Sequence, residues 1–100
     1  MVKKAFVEKK GSKYMLWVIR GVIKKKDEAK YSRYHGRKVT ANQLAKDLAT
    51  FHRENNSLPT KIVNTGTGYA VYIGKLYPTK KDAEAERKAL YNHWRRGTPL

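Results

Sequence analysis

The hydrophobic pattern alternates between runs of strand character and stretches of helical period. Val2 to Lys9 reads as a short strand with an apolar patch at Ala5, Phe6 and Val7. Lys10-Gly11-Ser12 is a turn signal. Tyr14 to Lys24, YMLWVIRGVIK, is the clearest strand in the chain, rich in β-branched and aromatic residues. The two predict a hairpin around Gly11. Strict alternation puts Tyr14, Leu16, Val18 and Val22 on one face of the second strand and Met15, Trp17, Ile19 and Ile23 on the other. Both faces are apolar, which predicts a central strand covered on one side by helix and on the other by a partner or neighbour. Lys24-Lys25-Lys26-Asp27-Glu28 reads as a charged turn, and Lys30 to Arg33 as a third strand ending near His35-Gly36.

Thr40 opens a helical pattern. Thr40-Ala41-Asn42-Gln43 matches a capping box, in which the Thr hydroxyl and the Gln side chain satisfy free amides of the first turn. Ala41, Leu44, Ala45, Leu48 and Phe51 recur at helical spacing, and Asn55-Asn56-Ser57-Leu58-Pro59 ends the run. Lys61 to Asn64 reads as a fourth strand, Thr65-Gly66-Thr67-Gly68 as a turn, and Tyr69 to Leu76 as a fifth strand. Thr79 caps a second helix, with Asp82 favourable to its dipole and Ala83, Leu90 and Trp94 on one face, and Gly97 and Pro99 stop it.

The predicted order is β-β-β-α-β-β-α, an α+β domain in which a mostly antiparallel sheet packs two helices on one face through Leu44, Leu48, Phe51, Leu90 and Trp94. Both halves read as a hairpin followed by a Thr-capped helix, a weak internal echo. A length of 100 residues fits one such domain and no second core.

Charge changes the picture most. The chain has 23 Lys and Arg against 8 Asp and Glu, a formal net charge of +15. Residues 1–50 hold 14 basic and 4 acidic side chains and residues 51–100 hold 9 and 4, so the amino half carries the larger excess. Self-repulsion of this size is relieved by a polyanion, because each cation that meets a phosphate releases condensed counterions. Cysteine is absent, which excludes disulfides and thiolate zinc sites. The longest mostly apolar run, Tyr14 to Ile23, is too short to span a bilayer and is interrupted by Arg20. MVKKAFVEKK has no apolar secretion core. The expectation is an intracellular, cytoplasmic protein, at a nucleoid or in a host cell, of the kind that viruses and mobile elements encode.

Three features are candidates for the interface. Lys30-Tyr31-Ser32-Arg33-Tyr34-His35-Gly36-Arg37-Lys38 is the densest mixture of cations and aromatics, with Lys24, Lys25 and Lys26 just before it. Cations neutralise phosphates, tyrosines stack on bases or sugars, and hydroxyls bond phosphate oxygens. The same segment also suits an edge strand guarded by charge. At the carboxyl end stand Arg87, Lys88, Arg95 and Arg96, with Lys81, Lys88 and Arg95 on one side of the helix, a row that can track a backbone or simply be solvated. Lys75 on the fifth strand completes the set.

Val71-Tyr72-Ile73-Gly74-Lys75-Leu76-Tyr77-Pro78-Thr79-Lys80-Lys81-Asp82-Ala83-Glu84-Ala85 resembles the last strand and helix start of the three-strand-plus-helix DNA-binding domains. These stand at the amino ends of phage-type integrases and in plant ethylene-response factors. The shared pattern is an apolar strand ending in Gly, a turn with an aromatic, then Thr-x-x-acidic-Ala. The resemblance implies a sheet face in the major groove. The same strand-turn-helix is similar to SPOR repeats and double-stranded-RNA-binding domains. Tyr72-Ile73-Gly74 also matches the second half of the GIY-YIG nuclease signature, which would give Tyr72 and Arg87 catalytic roles. The upstream triplet is absent, with Lys61-Ile62-Val63 in its place, and no acidic residue follows Arg87 to hold a metal.

His35, His52 and His93 are isolated, Thr65 to Gly68 lacks the Lys-Ser/Thr of a phosphate loop, and the carboxylates are few for a two-metal site. Trp17 and Trp94 read as core. The sequence therefore points to a nucleic-acid-binding protein rather than an enzyme, with no cofactor and no membrane partner. DNA is favoured over RNA, a homodimer is left open, and the rival reading is an interaction protein whose basic surface docks an acidic protein.

Overall fold

A computed structural model describes residues 3–95 of the chain. The elements run β1 (Ala5–Lys10), β2 (Lys13–Lys24), a 3-10 turn (Lys25–Asp27), α1 (Glu28–His35), α2 (Ala41–Asn56), β3 (Thr60–Asn64), β4 (Gly68–Tyr77) and α3 (Lys80–Arg95). The fold is α+β, and its sheet is antiparallel throughout, in the order β1-β2-β4-β3.

The predicted β1–β2 hairpin is present, starting at Ala5; Val2 lies outside the described residues. Lys10 pairs with Lys13 around Gly11, whose φ of 63° opens the two-residue loop. β2 is central, between β1 and β4, as its two apolar faces require. The predicted face assignment fails beyond Arg20. Ile19 pairs with Tyr72 and Gly21 with the next residue, Val71, so one residue of β2 bulges there. The extra residue inverts every later side chain. Ile23 therefore packs with Val71, Ala45 and Ala49, while Val22 pairs with Ala70 on the Trp17 side.

The expected third strand does not form. Lys30 to Arg33 lies inside α1, so the sheet has four strands and three helices are present among the described residues. Asp27 and Glu28 sit at the helix start, where carboxylates match the dipole, and the segment ends at Gly36 with φ 69°. There the Gly36 N–H donates to the Arg33 carbonyl at 3.3 Å and the Arg37 N–H to the Ser32 carbonyl at 3.2 Å, the paired bonds of a Schellman stop. The tyrosines in this short segment suggested strand, but its two ends are helix signals.

Thr40 caps α2 as expected, accepting from the Gln43 N–H at 3.1 Å. The reciprocal half of the box is missing, because the Gln43 side chain reaches Asp47 instead. α2 buries Ala41, Ala45 and Ala49 rather than the predicted leucines. Leu44 and Leu48 are half-buried and Phe51 is 55% exposed, so Phe51 is no part of the packing. The alanine stripe lets α2 approach β4 closely, and Gly21 helps, since a Cβ there would lie 3.0 Å from Leu48. Thr79 caps α3, accepting from the Asp82 N–H at 3.2 Å. α2 rests mainly on β3 and β4, and α3 mainly on β1 and β2. Each long helix thus covers the hairpin of the other half. Tyr91 of α3 fastens this arrangement, its hydroxyl accepting from the Ala5 N–H and donating to the Ala5 carbonyl.

The sheet curls around a cluster of Met15, Trp17, Ala70 and Tyr72, with Phe6, Ile19 and Val63 against it. In a flat sheet the edge strands would stand about 14 Å apart, three spacings of about 4.8 Å. Here they touch across the cluster. Lys61 of β3 donates to Glu8 Oε2 of β1 at 3.0 Å, and the Trp17 indole donates to Glu8 Oε1 at 3.0 Å. Lys10 adds a second ammonium at 3.2 Å, and Lys61 also lies over the Phe6 and Trp17 rings. Gly74 has no side chain to lift Trp17 off β4, since a Cβ there would lie 2.8 Å from the indole.

Two outcomes follow from this packing. The Trp17 hydrogen bond first, then those from Lys61 and Lys10, hold the Glu8 carboxyl down at about 2, against an ordinary 4.5. A depressed carboxylate stabilises above its unfolded value and loses that contribution as pH falls toward its folded value. Thermal melts should therefore show a loss between pH 4.5 and about 2 that Glu8→Gln flattens. Glu8→Gln should also melt lower near neutral pH; identical melts of both proteins throughout would remove the clasp from the account. Ala45→Leu overfills the α2–β4 contact and should lower stability by about 1–3 kcal/mol in denaturant unfolding. A neutral result would mean that α2 can shift outward freely.

Candidate nucleic-acid interface

α1 is an unusual helix because none of its side chains is buried. It is held at its rear by polar contacts to the chain that follows. Glu28 Oε2 accepts from the Ala41 N–H at 2.6 Å, so this carboxylate occupies one free amide of the α2 start. Ser32 Oγ accepts from the Val39 N–H at 3.0 Å and donates to the Val39 carbonyl at 3.2 Å. At 100° per residue Glu28 and Ser32 share one side, and Lys30, Arg33 and Tyr34 share the other. Tyr34 is 87% exposed. Lys30 and Arg33 are exposed as well.

The cations on either side extend this ridge. Lys24, Lys25 and Lys26 precede α1 and Arg37 and Lys38 follow it, all exposed. None of these seven basic residues joins an ion pair among the described residues; the ion pairs there involve Lys10, Lys61 and Arg87. Lys25 lies over the Tyr69 ring at 5.7 Å, and the Lys25 N–H donates to the Thr67 carbonyl, which ties the turn to the β3–β4 loop. Tyr31 is half-buried and lines the groove between α1 and α2 with Leu44 and Leu48.

The remaining sequence candidates stand elsewhere. Lys75 pairs in register with Leu16, whereas Lys24 pairs with Gly68, so the two lie about seven residues apart along β4, roughly 24 Å. Lys75 sits beside the Tyr77 ring at 5.5 Å. Lys81, Lys88 and Arg95 are exposed on α3. Arg96 lies outside the described residues, as do Gly97 and Pro99. The structure thus gathers nine of the fourteen candidates in the stretch from Lys24 to Lys38 and sets four others on β4 and α3.

The sheet face that the integrase-like resemblance would lay in a groove is not open. Trp17 is 4% and Tyr72 3% exposed, and the Glu8–Lys61 pair crosses above them. Aromatic side chains from both hairpins fill the concave side, so its strands present no flat surface. Trp17 is core, as expected, and Trp94 is half-buried against Tyr91, with Lys4 over its ring. The Tyr72 hydroxyl donates to the Lys3 carbonyl, and burial pushes its phenol pKa up. Arg87 is paired with Glu84 at 2.8 Å. Among the described residues no group of three or more His, Asp or Glu side chains could hold a metal ion. No helix there is long and apolar enough to cross a membrane.

Sequence reading missed Glu28 and Ser32, because their role depends on Val39 and Ala41 folding back onto α1. It also missed the division of the α2 stripe into buried alanines and half-buried leucines. The difference in size between the two sets was the available signal. No protein-family model, curated protein or solved structure matches the chain.

Glu28→Ala together with Ser32→Ala removes the rear contacts of α1. Amide exchange in residues 28–37 should then accelerate strongly while β4 amides keep their protection. Unchanged exchange in α1 would show that the helix is held by something other than these two side chains.

Proposed function

We propose that the protein binds nucleic acid, duplex DNA above all, through phosphate contacts made by the ridge that α1 and its flanking loops present. The observation that carries this reading is a surface helix with no buried side chain, whose outward residues are Lys30, Arg33 and Tyr34 and whose flanks hold five more unpaired cations. A helix with no fully buried side chain contributes little to the core, and its cations raise self-repulsion. Both features suit a ligand-binding role.

The dimensions support a duplex. An α-helix with its side chains is about 10–12 Å across, which fits the major groove of B-DNA at about 12 Å wide. Arg33 and Lys30 have the chemistry for guanine edges or phosphates, and Lys24 to Lys26 with Arg37 and Lys38 would meet the backbone on either side. Duplex RNA has a major groove too narrow and deep for a helix, which is a second argument for DNA. In this reading α2 and α3 together cover the Leu16, Val18 and Val71 side of the sheet, and the reading element is α1, not a strand. That differs from the sheet-face mode implied by the integrase-like resemblance. Lys75, Lys81, Lys88 and Arg95 would add only long-range field. The protein acts as a binder with no chemical step of its own.

A gel-shift panel of duplex DNA, single-stranded DNA and duplex RNA at fixed salt should give duplex DNA the tightest binding. The logarithm of affinity should fall with the logarithm of salt concentration by roughly 0.9 per phosphate contact. Arg33→Ala with Arg37→Ala should weaken binding and reduce that slope by about one unit for each lost contact. No binding to any oligonucleotide at low ionic strength would sink the proposal. Cleavage of plasmid in magnesium or manganese would replace it with the nuclease reading.

A further inference from the structure

The helical ridge has a second side. Between α1 and α2 runs an open groove of about 430 Å³, floored by Ile23, Leu44 and Leu48 and walled by Tyr31 and Tyr34. Lys30 and His35 complete it. Leu44, Leu48 and Phe51 fall four and three residues apart on α2, the spacing of a single helical stripe. Phe51, 55% exposed, prolongs the apolar row beyond the groove. Ala41, Ala45 and Ala49 are the buried residues of α2, and Leu48 packs partly against that cluster, but Leu44 and Leu48 keep accessible surface in the groove and Phe51 stays exposed, so the outer side of this stripe is left uncovered.

Charge decides between occupants. A second copy would bring another +15 against the cations around the groove. An unpaired base would find two tyrosine rings, but a floor of Ile23, Leu44 and Leu48 that offers its polar edge neither donor nor acceptor. An amphipathic helix with carboxylates beside its apolar face satisfies both parts of the surface. Its aliphatic side chains cover the floor, and its acids meet Lys30, Arg33 and the Lys24 to Lys26 turn. We propose that the groove between α1 and α2 docks an acidic amphipathic helix of a partner protein. Lys30 and Tyr34 line the groove and also belong to the ridge that faces DNA. Partner and DNA therefore exclude one another, a consequence that rests on the DNA reading, whereas the docking itself does not.

The probe is a fluorescent synthetic helix of about sixteen residues, with leucines at i, i+4 and i+7 and glutamates on its flanks. Two controls replace its leucines by serine or its glutamates by lysine. The acidic leucine peptide should bind, and both controls should lose about tenfold or more. Phe51→Ser should weaken the peptide by a similar factor, keep the amide NMR spectrum of the folded protein, and leave duplex DNA affinity unchanged. Arg37→Ala with Lys38→Ala should weaken DNA and spare the peptide. Equal binding of the acidic leucine and acidic serine peptides would overturn the proposal, as would indifference to Phe51→Ser. Concentration-dependent dimers in sedimentation that Phe51→Ser abolishes would assign the groove to a second copy instead. If the peptide binds as described but no oligonucleotide does, the docking stands and the DNA reading falls.

Discussion

The ion pair between Glu8 and Lys61 is the contact on which the shape of the sheet turns. These residues belong to the two edge strands, which only a curled sheet can bring within 3.0 Å. Right-handed twist supplies part of the curl and the bulge at Arg20 sharpens it. The absent side chain at Gly74 lets the Trp17 ring lie against β4, so the concave side fills with aromatic rings before the clasp crosses it. The carboxylate is no deeply buried charge; its side chain remains about a third exposed, at 34%. Its partners are an indole N–H and two ammonium groups, hydrogen bonds that favour the ionised form.

This closure redistributes the roles of the surfaces. A flat antiparallel sheet with one covered face would leave the other free to meet a ligand. Here the second face holds Met15, Trp17 and Tyr72 in its own small core. The core is modest in volume and relies on alanines, with Ala41, Ala45, Ala49 and Ala83 at the helix contacts. Small residues bring the helix backbones close to the strands, but they bury little area each. The exchange of helices between hairpins offsets that economy by making each half of the chain dependent on the other.

α1 is the element least determined by the core. Eight residues are too few to hold a helix in water by themselves. It persists through Glu28, Ser32 and the Gly36 stop, all of which lie along its rear or its end. Its front is left to cations and tyrosine, and its flank to the leucines of α2. The proposed DNA ridge and the proposed protein groove are thus two sides of one marginally held helix, which gives a physical route by which one ligand could oppose the other.

Much of this was legible in the residues. The apolar run at Tyr14 to Ile23, hydrophobic on both faces, implied a central strand, and Thr40 and Thr79 marked helix starts, because these signals are local. The contiguous cations from Lys24 to Lys38 were also visible without a structure, although their binding role is still a proposal. Other features depended on distant chain. The segment at Lys30 became a helix because its ends, not its centre, carry the helix signals and because Val39 and Ala41 return to hold it. The faces of β2 inverted beyond Arg20 because a bulge is decided by pairing with Tyr72 and Val71, which lie on another hairpin. The closed concave face could not be read from spacing at all, since Glu8 and Lys61 stand 53 positions apart and meet only when twist brings the two edges together. Periodicity and capping chemistry act within a few residues and are written in sequence; register, curl and the exposure of a charged helix are settled by contacts between elements.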